Sequence, residues 1–141
     1  MLIKSVFKIS FMESILLEGT HKTPKIFADP QMGKIEIIGR SNPENSTKFY
    51  KPLIDWLDKY VDSDIGNIKL TIDLEHYNTS SSKSLMDVLK RLKKLNKCSR
   101  DVSVNWYYEE DDEEMLEAAE TYESMTDMEF NIIKKPVHDL E

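Results

Sequence analysis

The residues of this chain best suited to chemistry form one polar run, residues 78–82, which reads Asn-Thr-Ser-Ser-Ser. Asn, Thr and Ser are also the residue types that cap the N-terminus of a helix. A phosphate on one of these hydroxyls would be stabilised there, because the first N–H groups of a helix lack partners and the helix dipole favours negative charge. The run therefore fits two roles, a phosphorylation switch or a simple helix cap.

Hydrophobic patterning places this run between a strand and a helix. Apolar residues alternate with polar ones over residues 68–74, which is the period of a half-buried strand. From about residue 81 to residue 97 the apolar residues recur at helical spacing; they are Leu85, Val88, Leu89, Leu92 and Leu95. The polar run therefore predicts a strand-to-helix junction, with Thr79 at the carboxyl end of the strand.

The elements on either side predict an α/β fold. Strands at residues 15–18 and 23–28, and another at 34–38 after the turn-forming residues 29–33, indicate leading antiparallel strands. A helix capped by Asn45 follows, in which Pro52 predicts a kink or a later start. Further elements alternate at residues 68–74, 81–97, 102–108, 112–124 and 129–134. This order predicts one domain with a mixed β-sheet packed with about three helices, and with sites at the carboxyl ends of parallel strands.

Composition limits the classes of function. The chain has 141 residues and a net charge of -7, from 19 Lys and Arg against 26 Asp and Glu. The length suits a single domain, and the acidic balance argues against nucleic-acid binding. No apolar stretch approaches the ~20 residues that span a bilayer, so we expect no membrane insertion. The single cysteine, Cys98, excludes an intrachain disulfide and fits a cytoplasmic protein.

The N-terminal residues differ from the rest. Met12 is a second candidate start, and Lys4 and Lys8 interrupt the short apolar run before it, which makes a poor secretory signal. We therefore assign residues 1–12 to an N-terminal extension and residues 13–141 to the single domain.

Two of the predicted helices differ in charge. The second is basic outside its apolar stripe, whereas six consecutive acids at residues 109–114 lead into the third. The basic residues of the second helix are Lys83, Lys90, Arg91, Lys93, Lys94 and Lys97. This polarity could steer a charged partner, or the two helices could simply present solvated faces.

Motifs for catalysis or metal binding are missing from the sequence. The three histidines lack the spacing of a zinc helix, and the acidic run lacks that of a calcium loop. No glycine-rich phosphate loop or nucleophile elbow occurs. We therefore predict a protein that is not an enzyme, with no catalytic residue, cofactor or metal. A small enzyme built around His76 is an alternative that loss of turnover in His76→Ala would support.

Three separated segments resemble motifs of the SiaC-family regulatory phosphoproteins. The first comprises residues 38–45, 49–52 and 56–57, the second residues 77–83, and the third residues 105–109 with 111–113. Thr20 and the pair Thr23-Pro24 also resemble an early segment of that family. The resemblance runs from about residue 13 to residue 133, in the order that the family has.

The resemblance implies a bacterial cytoplasmic switch protein with a STAS-like fold, similar to anti-sigma-factor antagonists. In that family a kinase of the histidine-kinase-like ATPase type phosphorylates a threonine of the central motif, and a PP2C-like phosphatase removes the phosphate. The unmodified form is associated with activation of a diguanylate cyclase, which makes cyclic di-GMP and so controls biofilm formation. A diguanylate cyclase is therefore the implied effector.

Matched residue by residue, the resemblance implies Thr79 as the phosphoacceptor. The residues that it implies for the switch loop and for partner binding are Tyr77, Asn78, Ser80, Ser81, Lys83, Pro43, Glu44 and Asn45. The alternative is a constitutive interaction module of the same fold, in which residues 78–80 only cap the helix.

Overall fold

The computed structural model describes residues 12–63, 66–98 and 100–137. The predicted extension therefore lies outside the described residues, apart from Met12, which packs against the hydrophobic core. The division between extension and domain stays a prediction.

Six strands form one sheet in sequence order, with neighbouring strands hydrogen-bonded. They are β1 (Ile15–Leu17), β2 (Lys25–Asp29), β3 (Lys34–Ser41), β4 (Ile68–Tyr77), β5 (Val102–Glu109) and β6 (Asn131–Lys135). The first three are antiparallel to one another, whereas β3, β4, β5 and β6 run parallel. The parallel strands need long crossovers, and helices supply them.

Three helices connect the parallel strands: α1 (Ser46–Asp62), α2 (Thr79–Lys97) and α3 (Glu113–Thr126). The predicted fold class, a mixed sheet packed with three helices, is confirmed. The start of α2 was predicted two residues late, since α2 begins at Thr79 and not at about residue 81. The predicted cap at Asn45 is confirmed: α1 begins at Ser46 and continues through Pro52. Asn45 fixes the start of α1 by accepting from the backbone N–H of Lys48, and Pro52 lies on the exposed side of the helix.

The hydrophobic core lies between one face of the sheet and the helices. Ile37 pairs with Ile72 and Ile72 with Trp106, and all three side chains are fully buried on this face. Leucines of the helices cover them, among them Leu57 of α1 and Leu89 of α2. Among the described residues, no helix is long and apolar enough to cross a membrane.

A β-bulge shapes the end of β4. Gly39 pairs with Leu74 and Arg40 with His76, so β4 contains one extra residue, Glu75, at this point. Gly39 has a φ of 122°, a conformation that glycine adopts without a steric penalty. Bulges bend a strand and redirect its end. This one lies directly before Tyr77 and the start of α2, at the edge where β3, β4 and β5 end, called here the carboxyl edge.

Candidate functional site

Asn78 joins three segments at the carboxyl edge. Its side-chain oxygen accepts a hydrogen bond from the backbone N–H of Ser81 at 2.9 Å and so caps α2. Its side-chain amide donates to the carbonyl of Pro43 at 3.1 Å, and its backbone N–H donates to the carbonyl of Ser41 at 2.9 Å. The cap of α2 is therefore provided by Asn78 and does not require the hydroxyl of Thr79.

A buried network of hydroxyls connects the starts of α1 and α2. The Oγ of Ser41 lies 2.6 Å from the Tyr50 hydroxyl and 2.8 Å from the Oγ of Ser81. The Oγ of Ser46 lies 3.2 Å from that of Ser81 and 2.7 Å from that of Ser80. Ser41, Ser46, Tyr50 and Ser81 are each at most 2% exposed. Buried hydroxyls are costly unless they are hydrogen-bonded, so this network fixes the two helix starts relative to each other.

Thr79 differs from the three serines that follow it. Ser80 bonds to Asn78 as well as to Ser46, and the Oγ of Ser82 donates to the carbonyl of Thr79 at 2.7 Å. Ser81 is fully buried and donates to the carbonyl of Ser41. Thr79 is exposed, and its hydroxyl has no hydrogen-bond partner among the described residues. Of the four hydroxyls in this run, that of Thr79 is the one that a modifying enzyme can reach without breaking a bond.

The surroundings of Thr79 favour an anion. The N–H groups of Thr79 and Ser80 belong to the first turn of α2 and have no partner within the helix. The start of α1 lies alongside, where Asn45 accepts from the backbone N–H of Lys48 at 3.1 Å. Lys83 is exposed and lies one turn after Thr79 on α2. Two helix N-termini and a lysine therefore provide positive potential at this edge.

Tyrosines support the site from beneath. Burial raises the pKa of Tyr50 to about 12, although the hydrogen bond to Ser41 opposes the shift. The Tyr122 hydroxyl donates to the carbonyl of Ser82 at 2.9 Å, and burial raises its pKa as well. Tyr77 is half-buried and packs edge-on against Trp106 with ring centroids 6.5 Å apart, and burial raises its pKa too. These tyrosines remain neutral near pH 7 and hold the first turn of α2 on the core.

Two further loops reach the same edge. In the loop between β1 and β2, the Thr20 hydroxyl accepts from the backbone N–H of Thr23 at 2.9 Å. The carbonyl of Lys22 in this loop accepts from Asn42. After β5, Asp112 caps α3 by accepting from Met115 at 3.0 Å. The segments that carry the sequence motifs therefore meet at one edge of the folded domain.

The residues implied for the switch loop do not all lie on the surface. Glu44, Asn45, Ser80 and Lys83 are exposed, whereas Pro43 and Ser81 are buried. Tyr77 and Asn78 are half-buried and position the loop from inside. Buried residues can influence partner binding only by shaping the surface, and direct contact falls to the exposed ones.

Sequence reasoning missed four residues that organise the site: Ser41, Ser46, Tyr50 and Tyr122. The first two carry hydroxyls near strand and helix ends, but no spacing in the sequence pairs them with residues 80–81, which are more than 30 positions away. Tyr122 is buried, but its bond to Ser82 had no sequence signal. The described residues contain no cluster of three or more His, Cys, Asp or Glu side chains that could hold a metal ion.

Fold and site together define a two-layer α/β domain that presents an accessible threonine at a capped helix N-terminus. The model of the SiaC family of regulatory phosphoproteins matches residues 17–135, and the chain belongs to this family. The resemblance seen in the three sequence motifs is therefore confirmed.

Relatives in Pseudomonas aeruginosa agree with this assignment. An uncharacterized protein is 34% identical over 111 residues, which cover 79% of this chain and 88% of the relative. The crystal structure of apo-SiaC is 33% identical with a TM-score of 0.79, covering 86% of this chain and 99% of SiaC. A crystal structure of the diguanylate cyclase SiaD in complex with its activator SiaC contains a chain 32% identical to this one, with a TM-score of 0.81 and the same coverage.

Proposed function

We propose that this chain is a signalling switch without enzymatic activity of its own, phosphorylated reversibly on Thr79. Its unmodified form binds and regulates an effector. One observation carries the choice of residue: among the hydroxyls of residues 79–82, that of Thr79 is both exposed and free of hydrogen bonds within the described structure. The cap of α2 is complete without it.

The physical effect of the phosphate is local. It would add about -1.5 to -2 charges at the start of α2. The free N–H groups of the first turn and the ammonium group of Lys83 would stabilise it. The domain could therefore carry the phosphate without unfolding, while the exposed surface around Glu44 and Ser80 becomes more negative. A partner with an acidic surface would then bind more weakly.

The effector that we propose is a diguanylate cyclase, and the pathway is cyclic di-GMP signalling. The support is the solved complex of SiaD with its activator SiaC. The matching chain of that complex aligns with 86% of this chain. A kinase of the histidine-kinase-like ATPase type and a PP2C-like phosphatase would set the phosphate level, all in the cytoplasm. These two enzymes come from the resemblance to the family alone.

Mass spectrometry of the protein purified from its own cells tests the proposal. We expect an intact mass with one phosphate in part of the population and a phosphopeptide that places it on Thr79. Thr79→Ala should lose the phosphate and stay folded, and Ser82→Ala, which also removes a hydroxyl from this turn, should keep it.

Three outcomes would each decide a different point. Phosphate on Ser80 or Ser82 would keep the switch and correct the residue. No phosphate under several growth conditions would contradict the switch and favour the constitutive interaction module. Unfolding of Thr79→Ala would show that Thr79 serves the helix start.

A further inference from the structure

The exposed face of α2 carries a row of lysines in line with Thr79. This lysine ridge consists of Lys83, Lys90, Lys94 and Lys97, all of them exposed. At 3.6 residues per turn, Thr79 and the four lysines lie within about 60° of one another around the helix axis. The ridge begins one turn after Thr79 and reaches about 27 Å from it at Lys97, given a rise of 1.5 Å per residue.

The ridge lysines have no ion-pair partner among the described residues, unlike several other cations of the domain. None of them forms an ion pair or hydrogen bond with another described residue. By contrast Lys25, Lys51 and Lys135 each pair with a carboxylate, and so does Arg91 on the flank of α2. Asp87 is the single acid of α2. The helix α2 therefore presents four unpaired ammonium groups on one face, although the chain has a net charge of -7.

We propose that the lysine ridge is the docking surface for an acidic surface of the effector protein, an inference that rests on the proposed switch function. The four ammonium groups would meet carboxylates along about 21 Å of the partner, with Thr79 about 6 Å beyond Lys83 at one end of the contact. Charge complementarity of this kind raises association rates and fixes orientation. Met86, partly buried on the same side of α2, adds a small apolar contact.

The neighbouring helix limits where the partner can lie. Glu113, Glu117 and Glu120 of α3 are exposed, and none of them forms an ion pair with a described residue. An acidic partner is attracted to α2 and repelled by α3, so the contact cannot extend evenly over both helices. The ridge therefore supplies orientation as well as affinity.

The position of Thr79 divides the ridge into two parts. Lys83 lies about 6 Å along the helix from Thr79, whereas Lys90 to Lys97 lie about 16 to 27 Å away. The Debye length is ≈ 8 Å at physiological ionic strength, so a phosphate on Thr79 acts on Lys83 and is screened from the others. Phosphorylation thus neutralises the near end and repels the partner there, and the far lysines contribute affinity in both states.

A titration with purified SiaD of Pseudomonas aeruginosa, the partner named in the solved complex, tests the inference. The variant Lys90→Glu/Lys94→Glu should raise Kd at least about tenfold at 0.15 M salt and flatten the dependence of Kd on salt. The matched control, Lys59→Glu/Lys69→Glu, changes the net charge equally on α1 and β4 and should bind like the unaltered chain. Circular dichroism checks that both variants are folded.

The outcomes distinguish a failure of the docking proposal from a failure of the phosphorylation switch. If the Lys90/Lys94 variant binds like the control while Thr79→Glu still weakens binding, the lysine ridge is not the docking surface and the proposed switch remains supported. If the unaltered chain does not bind the cyclase, the cyclase effector and the ridge assignment both fail. If the ridge variant instead loses binding to a duplex DNA probe that the unaltered chain holds, a nucleic acid replaces the acidic protein surface.

Discussion

The starts of α1 and α2 are capped in the same way, but the residue after the cap is buried in α1 and exposed in α2. Each helix has an Asn cap that accepts from the backbone N–H three residues later, at 3.1 Å for Asn45 and 2.9 Å for Asn78. Each cap is followed by a residue with a hydroxyl, Ser46 or Thr79. Ser46 is 2% exposed and bonds to two serines of α2, whereas Thr79 is exposed and unbonded among the described residues.

The difference shows that the same cap pattern can leave the following hydroxyl either bonded inside the fold or accessible on its surface. Ser46 faces the other helix start, and its hydroxyl bonds to those of Ser80 and Ser81. Thr79 faces solvent, so removing or modifying its hydroxyl costs no internal bond. The helix cap and the candidate switch are adjacent residues, and Asn78 leaves Thr79 available. Capping and switching are therefore not rival explanations of this run.

The largest expected effect is on the free energy of unfolding at high pH, and it comes from Tyr50 in the buried hydroxyl network. Burial raises the pKa of Tyr50 from 10.0 to about 12, so the folded state holds this proton more tightly than the unfolded state. The stabilisation is complete below pH 10 and is lost as the pH rises to about 12. A shift of this size corresponds to roughly 3 kcal/mol of unfolding free energy. Denaturant unfolding at several pH values measures it.

Tyr50→Phe isolates this contribution from those of the other buried tyrosines. Burial also raises the pKa of Tyr60, Tyr77 and Tyr122, so the unaltered chain should lose stability over the same range from several groups. The variant should be less stable at pH 7, because Ser41 loses a partner, and should lose less stability between pH 10 and 12. Equal losses in both chains would mean that Tyr50 titrates normally and that the hydroxyl network is open to water.

The next prediction compares the hydroxyls of Ser46 and Thr79 by their effect on the free energy of unfolding. Ser46→Ala should lower it by about 1 to 3 kcal/mol, because it removes the hydrogen bonds of the buried Ser46 hydroxyl to Ser80 and Ser81. Thr79→Ala should change it by no more than about 0.5 kcal/mol, as expected for an exposed position. Urea denaturation of both variants at pH 7 provides the measurement. A larger loss in Thr79→Ala than in Ser46→Ala would reverse the roles assigned to the two residues.

The order of the elements and the place of the candidate site could be predicted from the sequence. Alternating and helical periodicities gave the order of elements, because burial on a single face of the sheet leaves a clear pattern in residues such as Ile72 and Leu89. The polar run at the start of α2 indicated the site, since capping residues are local signals. The boundary of α2 was misplaced by two residues, because Thr79 and Ser80 are helical residues as well as candidate caps.

Which hydroxyls are buried and bonded depends on tertiary contacts that no local pattern encodes. Ser41 and Ser81 are 40 positions apart, and their bond arises only because β3 and β4 are neighbours and end together. Which of several hydroxyls remains free could therefore not be read from the chain. The resemblance of the motifs pointed to Thr79, and the contacts supply a physical reason for the same choice.

The smallest effect tests whether the two caps are equivalent. Asn45→Ala removes a single hydrogen bond at an exposed helix start and should cost about 1 kcal/mol. Asn78→Ala removes the cap of α2 and also the bond to Pro43, so it should cost up to about 2 kcal/mol.

Urea unfolding measures both costs, and the glycine variants control for the backbone, since Gly substitutes for an Asn cap with little loss. Asn78→Gly should therefore regain most of the capping energy and none of the bond to Pro43. Equal costs at the two positions would mean that the contact of Asn78 with the α1 loop contributes nothing, and that the two helix starts are held together by the serines alone.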